Sequence, residues 1–379
     1  MLILAARLGS AEMVGDLAVA MAICSPIMVI VGLQQRVVYV TDVERRFGWH
    51  THVRLRRWAA IVGVLIAGVL ASTPWVQISI VAVLAIALAK AGDLWSDLHH
   101  ATFQTRGAMR LYARSTTVRA AVGLLALGVV LQVSGSLALG LLAMAVVSWS
   151  VALVHDSPLS KALRAPTSGR DGALTLLSTA APLGVVTFVD SVAQHAVRLQ
   201  VDGILGTTAL GHYAVMSYIV IAGGAVVFSL GTPLLRPMAE QYASGRHRAF
   251  VGTVLRLVGL GALLGVGGIA FAVVLGEAFL KTVFGEAFAT YADVFPWVMA
   301  AGALHFVLNA LMHAVNAAQR RRAQPWIYLS ALTLTLVAGW SWIPSEGLRG
   351  AAQASALGWA VALLLAAVVL GGALRRRAA

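Results

Sequence analysis

The sequence predicts an all-α integral membrane protein: two pseudo-symmetric six-helix bundles around a central cavity, about eleven complete spans plus a truncated first helix. Three observations carry that expectation. Of the 379 residues, 59% are hydrophobic and 11% charged, against roughly 45 to 50% apolar and about 25% charged in soluble domains. The mean hydropathy of +0.85 is an average over the whole length, so the apolar residues are not one segment attached to a water-soluble domain. Third, the polar residues fall in short gaps at near-regular intervals. With about 20 residues per span and about 10 per connection, the chain has room for roughly twelve helices and for no separate catalytic domain.

Taken in order, the apolar stretches predict spans at about 13 to 39, 58 to 73, 75 to 101, 117 to 133, 136 to 155 and 174 to 201. They continue at 208 to 236, 250 to 275, 290 to 317, 326 to 343 and 351 to 373. Residues 1 to 9 are apolar and helix-friendly but reach only about 14 Å at 1.5 Å per residue, half of a bilayer core. They are expected to be the end of a missing helix, and no cleavable leader is legible. The one cysteine, Cys24, lies inside an apolar run and is expected to pack.

The formal charge is +13, with 28 basic residues against 15 acidic. A sequence pI near 10.9 would suit nucleic acid in a soluble chain, but location excludes that partner. Alternate gaps hold twenty of the basic residues: Arg45, Arg46, Arg54, Arg56 and Arg57, then Arg106, Arg110, Arg114 and Arg119, then Lys161, Arg164 and Arg170. The set continues with Arg246 and Arg248, Arg320 to Arg322, and Arg375 to Arg377. The other gaps hold Arg7, Lys281 and Arg349. This asymmetry places the twenty, and the C-terminus, on the cytoplasmic side.

An internal repeat divides the chain. The run from Leu8 and Gly9 to Gly15 and Val19 recurs from Leu205 and Gly206 to Gly211 and Val215, and the run from His100 to Arg106 is echoed from His313 to Arg321. The expected organisation is a first bundle over 1–157, a cytoplasmic linker over 158–172 with Pro158, Pro166 and Gly169, and a second bundle over 173–379. Gly259 to Gly268 carries small residues at a spacing that suits close helix contact.

Ionisable side chains inside the apolar spans cost free energy unless they meet water or a partner, so each is a candidate for function. On the helix at 174 to 201, Asp190, Ser191, Gln194, His195, Arg198 and Asp202 fall within an arc of about 140°. That face is either the wall of a water-filled cavity, where Arg198 and His195 attract an anion, or a structural ion pair of Asp190 or Asp202 with Arg198. On the helix at 75 to 101, Lys90, Asp93, Ser96, Asp97, His100 and Gln104 share an arc of about 120°, and Lys90 with Asp93 has the i, i+3 spacing of a self-neutralising pair. His305, Asn309, His313 and Asn316 form a stripe on the matching helix of the second half. His305 and His313 are two turns apart with no carboxylate between, which does not suit a metal, and no cofactor is indicated. Arg36 lies within the first long helix and is a cavity candidate, whereas Arg236, between Pro233 and Pro237, is expected to snorkel. The tryptophans, Trp75 among them, fall mostly near predicted span ends, as an aromatic belt requires.

Several runs carry a resemblance: Leu4-Ala5-Ala6-Arg7-Leu8-Gly9 followed by Gly15, Gly32-Leu33-Gln34-Gln35-Arg36, Phe103-Gln104-Thr105-Arg106, and Ala180-Ala181-Pro182-Leu183-Gly184. With their order and the duplicated plan, they resemble the polysaccharide flippases of the multidrug/oligosaccharidyl-lipid/polysaccharide (MOP) exporter superfamily. The resemblance implies a flippase, not an enzyme, in the bacterial cytoplasmic membrane. Its substrate would be an undecaprenyl-diphosphate-linked oligosaccharide, moved outward by alternating access. It implies that Arg36 and Arg198, with Lys90 and His195, face the diphosphate in a cationic cavity. Asp93, Asp97, Asp190, Gln194, His305 and Asn309 would be its polar and coupling residues. Membrane lipids, H⁺ or Na⁺ as coupling ion, and polysaccharide polymerase machinery would be the partners. Two other readings stand beside it. A drug or metabolite exporter of the MATE type would use acidic residues for cations. An integral-membrane glycosyltransferase or polymerase would need a sizeable outside loop, and the longest expected here, from Glu277 to Thr290, is short.

Overall fold

The computed structural model describes residues 1–42, 45–74, 76–164, 169 and 172–378, without the side chains of Arg321 and of residues 376–378. Trp75, Pro166, Arg170 and Asp171, part of the expected linker, and the side chains of Arg321, Arg376 and Arg377 therefore lie outside the described residues. Apart from short connections and an isolated bridge residue, Phe47, everything described is helix or turn, with no strand among the described residues. In chain order the helices are α1 (Leu2–Leu8), α2 (Ala11–Gly32), α3 (Gln35–Thr41), α4 (Trp49–Ala71), α5 (Ile80–Thr105), α6 (Met109–Ser134), α7 (Leu137–Ser150) and α8 (Ser157–Leu163). They continue as α9 (Ala173–Leu205), α10 (Thr207–Gly231), α11 (Leu235–Ala243), α12 (His247–Val283), α13 (Glu286–Ala289), α14 (Phe295–Ala317), α15 (Gln324–Glu346) and α16 (Leu348–Ala378).

Nine helical stretches are long and apolar enough to cross a membrane among the described residues. The other two expected spans are present as α4 and α5, of 23 and 26 residues. α4 runs from the basic gap with Arg54, Arg56 and Arg57, and α5 carries Lys90, Asp93 and Asp97 within its length, which lowers the hydropathy of both. Apolar side chains point outward along these helices: on α12, Leu263, Val266 and Val274 are 68%, 64% and 76% exposed. In water that surface would aggregate; in a bilayer it is the solvated face. The chain is an all-α membrane protein.

It divides into two compact units, Met1–Ser191 and Val192–Ala379, so the first half of α9 packs with unit 1. There Leu176 and Ala180 of α9 share a core with Leu33, Val38 and Phe47. Unit 2 has cores built on Met238, Phe250, Ala314 and Leu370 and on Val227, Leu257, Phe306 and Ala310.

The duplicated plan is visible in how helices start and stop. Ser10 accepts the Met13 amide at 3.2 Å and caps α2, and Gly206, the counterpart of Gly9, directly precedes α10. α5 and α14 end in the same way: Gly107 and Gln319 take the left-handed conformation, and the next amides reach back to Phe103 O at 2.8 Å and Val315 O at 3.0 Å. This closes the last carbonyls in a Schellman arrangement at both His-Ala echoes. The long helix that follows each repeated glycine turn is also broken near its far end. α2 stops at Leu33 and Gln34, two non-glycine residues with φ of 52° and 49°; α10 passes through a 3₁₀ turn at Thr232–Leu234 containing Pro233.

The glycine-rich stretch of α12 works as its spacing predicts. A Cβ on Gly265 would lie 2.5 Å from the Ala303 Cβ and 2.8 Å from its Cα, while Gly261 faces the Phe306 backbone. These glycines let α12 and α14 approach closely.

Candidate anion-binding sites

In unit 2, α9 carries Arg198 into the interior, where it is 2% exposed. Its Nε donates to Ser217 Oγ at 3.2 Å and its Nη1 lies 2.9 Å from His195 Nδ1. The guanidinium sits 4.3 Å from the Tyr218 ring centroid, a cation–π contact. No described carboxylate is within 4.0 Å of it. The structural alternative of an ion pair with Asp202 is not formed, because Asp202 Oδ1 accepts from Thr207 Oγ1 at 2.8 Å. Arg198 is therefore a buried cation compensated by dipoles and a ring.

It lines a small, partly open cavity of about 50 Å³ that also touches Gln194, Tyr213, Ser217, His305 and Trp359. His305 stacks on Trp359 with centroids 4.5 Å apart, and His305 Nε2 and the Tyr218 hydroxyl are buried without a hydrogen-bond partner. The cavity thus offers one desolvated positive charge, a histidine with an unpartnered ring nitrogen and an aromatic wall. Of the other candidates on these helices, Gln194, Asp190 and Asn309 are half-buried, with Asn309 next to Gly224. His313 packs under Phe228 at 5.2 Å. Arg236 is exposed and pairs with Glu240 at 2.9 Å.

In unit 1, the expected cavity residues of α5 turn toward three different neighbours. Asp93 Oδ1 is 3.2 Å from Arg119 Nη1 and accepts from Ser148 Oγ at 3.2 Å, so the carboxylate expected to neutralise Lys90 meets Arg119 instead. Lys90 is half-buried, within electrostatic reach of Asp93 and Cys24. Cys24 packs and its Sγ points to Val83 O at 3.5 Å. Asp97 Oδ1 is 3.1 Å from Arg36 Nε, and Arg36, on α3, also reaches the Tyr112 hydroxyl at 3.5 Å. His100 belongs to a buried network: its Nε2 lies 2.9 Å from Ser115 Oγ, which donates to Asp156 Oδ2 at 2.9 Å.

Two charged residues of unit 1 escape the sequence reading. Arg56 counts there as one of the basic residues of a polar gap, yet it is fully buried with Nη2 3.7 Å from Asp97 Oδ2. Its position beside the apolar stretch, about two turns inside α4, is the signal that could have marked it. Asp156 reads as the edge of a linker but is fully buried, accepting from His155 at 2.8 Å. It closes a π-helical segment, Val151–Asp156, and such wide turns carry no sequence signature.

No protein-family model matches the chain. Over 373 residues it is 21% identical to the capsular polysaccharide biosynthesis protein CapF of Staphylococcus aureus, covering 96% of this chain and 92% of that one. A multidrug resistance MATE family transporter of the MOP superfamily, in an inward-facing conformation, is similar over 100% of this chain and 93% of that one, with a TM-score of 0.75 and 10% identity. A MOP superfamily transporter from Pyrococcus furiosus, described by the reverse polarity of its binding pocket, matches 100% of this chain and 90% of that one, with a TM-score of 0.66 and 10% identity.

Proposed function

Because the chain has the fold of the MOP-superfamily transporters, we propose that it is a transporter of an anionic, lipid-linked sugar. We identify the cargo as an undecaprenyl-diphosphate-linked oligosaccharide or a similar polysaccharide precursor, flipped across the cytoplasmic membrane by alternating access. The observation that carries this reading is Arg198: a guanidinium taken out of water with no described carboxylate to neutralise it. Desolvating a cation costs several kcal/mol, and an arriving phosphate offsets that cost where a cationic drug would add to it. The planar fork of arginine matches phosphate oxygens, and Trp359 beside the cavity supplies the apolar ring face that suits a sugar.

A diphosphate head group cannot cross about 30 Å of hydrocarbon unaided, and a polar cavity replaces its hydration while the lipid tail stays in the bilayer. The inside-negative potential favours outward motion of an anion. The distant likeness to CapF, a capsular polysaccharide biosynthesis protein, supports a cargo from polysaccharide assembly. The fold equally accommodates a MATE-type drug exporter, and the charge of the cavity is what favours the anion. The test is the sidedness of undecaprenyl-diphosphate-linked oligosaccharide in cells lacking the gene. Accumulation on the cytoplasmic leaflet, relieved by the wild-type chain and not by Arg198→Ala, is the expected result. No accumulation in a strain without a redundant transporter would overturn the proposal in favour of drug or metabolite export.

A further inference from the structure

We propose that Asp97 is a shared counter-ion, held by Arg36 while that arginine is empty and handed to the buried Arg56 when an anion occupies Arg36. The inference rests on the anion-transport reading above and adds the step by which unit 1 registers its cargo.

The geometry is that of one carboxylate between two guanidinium groups. One oxygen of Asp97 is 3.1 Å from Arg36 Nε and the other is 3.7 Å from Arg56 Nη2. The two arginines differ in what else they have. Arg36 is about one-third exposed and touches Tyr112 by hydrogen bond and ring face. Arg56 is fully buried, and none of its three nitrogens has a hydrogen-bond partner. Both ring nitrogens of His52, one turn earlier on α4 and within electrostatic reach of Arg56, are also buried without a hydrogen-bond partner, as are both polar atoms of Gln35, next to Arg36 in sequence. An unbalanced buried cation is unfavourable, so Arg56 draws Asp97, the one described carboxylate within 4.0 Å of it. In the present arrangement Asp97 contacts Arg36 more closely, leaving Arg56 short of an acceptor.

An anion reaching Arg36 changes the balance on both sides. It supplies Arg36 with acceptors of its own and repels Asp97. The freed carboxylate has less than about 1 Å to travel before it makes a charge-assisted hydrogen bond of about 2.8 Å to Arg56. The segment that carries Arg36 is jointed for such a change. α2 ends and α3 begins at Leu33 and Gln34, both in the left-handed region, a conformation that is strained at a residue other than glycine. Gln35 and Arg36 follow directly, while Gly32 before the break lies close to Arg56 Nη1. Movement of α3 relative to α2 therefore shifts Arg36 without disturbing the contact of α2 with Arg56. Binding energy at Arg36 is thereby converted into a new bond inside the α2, α4 and α5 packing.

The experiment is a calorimetric titration of the purified full-length chain in detergent with inorganic pyrophosphate. Arg56→Met removes the second position for Asp97, so the carboxylate stays on Arg36 and competes with the anion; affinity falls roughly tenfold, the loss of about one charge-assisted contact. Asp97→Asn alone binds at least as tightly as wild type but does not transport. In the double variant Asp97→Asn restores the affinity that Arg56→Met lost. Unchanged affinity in Arg56→Met, or no rescue by Asp97→Asn, overturns the hand-over. If Arg56→Met does not fold to a monodisperse protein, Asp97→Asn decides: weaker binding than wild type means that Asp97 only holds structure. Failure of the wild-type chain to bind pyrophosphate at all overturns the anion-transport reading, and this inference with it.

Discussion

Replacing Arg198 by methionine keeps the length and the apolar stem of the side chain and removes its charge. In the structure the guanidinium has one hydroxyl, one imidazole nitrogen and one ring face as company, and is 2% exposed. Removing a buried cation so poorly compensated is neutral or stabilising, by up to about 1 to 4 kcal/mol in comparable replacements of buried charge by apolar residues. Removing the same group from an anion site has the opposite sign: a hydrogen bond to a charged group contributes about 1.5 to 3 kcal/mol, which is roughly 10- to 150-fold in affinity. Arg198→Met should therefore unfold at the same or a higher temperature in detergent while binding pyrophosphate at least tenfold more weakly and losing transport. Arg198→Lys should recover part of the affinity, since it restores charge without the fork. The reasoning is refuted if Arg198→Met lowers the unfolding temperature markedly. In that case the interactions with Ser217, His195 and Tyr218 hold the helices together, and the cavity charge is a by-product of packing.

Three further outcomes follow from the packing. Gly265→Ala forces a methyl group against the Ala303 backbone and should destabilise unit 2 by about 1 to 3 kcal/mol, whereas Gly267→Ala, with nothing within 4 Å, should not; thermal unfolding of the two variants side by side checks this. Asp156→Ala strands His100, Ser115 and His155 and should cost about 3 kcal/mol or more, read as loss of folded protein in detergent, with Asp156→Asn milder. Arg236→Ala breaks only an exposed pair with Glu240, worth less than about 1 kcal/mol, so neither unfolding temperature nor pyrophosphate affinity should change.

The fold was largely legible because bilayer thickness and hydropathy act on stretches of twenty residues, which a sequence displays directly. The break in α2 was not, since nothing in Leu33 or Gln34 announces a left-handed backbone; the packing of Leu33 with Phe47 and Leu176 holds it. The same contrast runs through the sites. Arg198 and His195 share a face at the i, i+3 spacing and do meet, 2.9 Å apart, because that distance is set within one helix. Asp93 shares the same spacing with Lys90 but contacts Arg119 on a neighbouring helix, because an ionisable group in a low-dielectric interior takes whichever partner gives the better geometry. Helical periodicity shows which side chains share a face; it is silent on what faces them.

Arg56 shows why that silence matters for function. The positive-inside count treats every basic residue of a gap alike, and it succeeds because most of them are solvated and interchangeable. A helix that continues more than two turns past its apolar stretch carries such a residue into the packed interior, where it stops being a topological signal and becomes a charge that must be balanced. Asp97 then has to serve two arginines, and any anion at Arg36 alters the share that Arg56 receives. A carboxylate divided in this way couples cargo to helix packing without any residue of unusual chemistry, which is why its signature is the pair of distances, 3.1 Å and 3.7 Å, and not a motif.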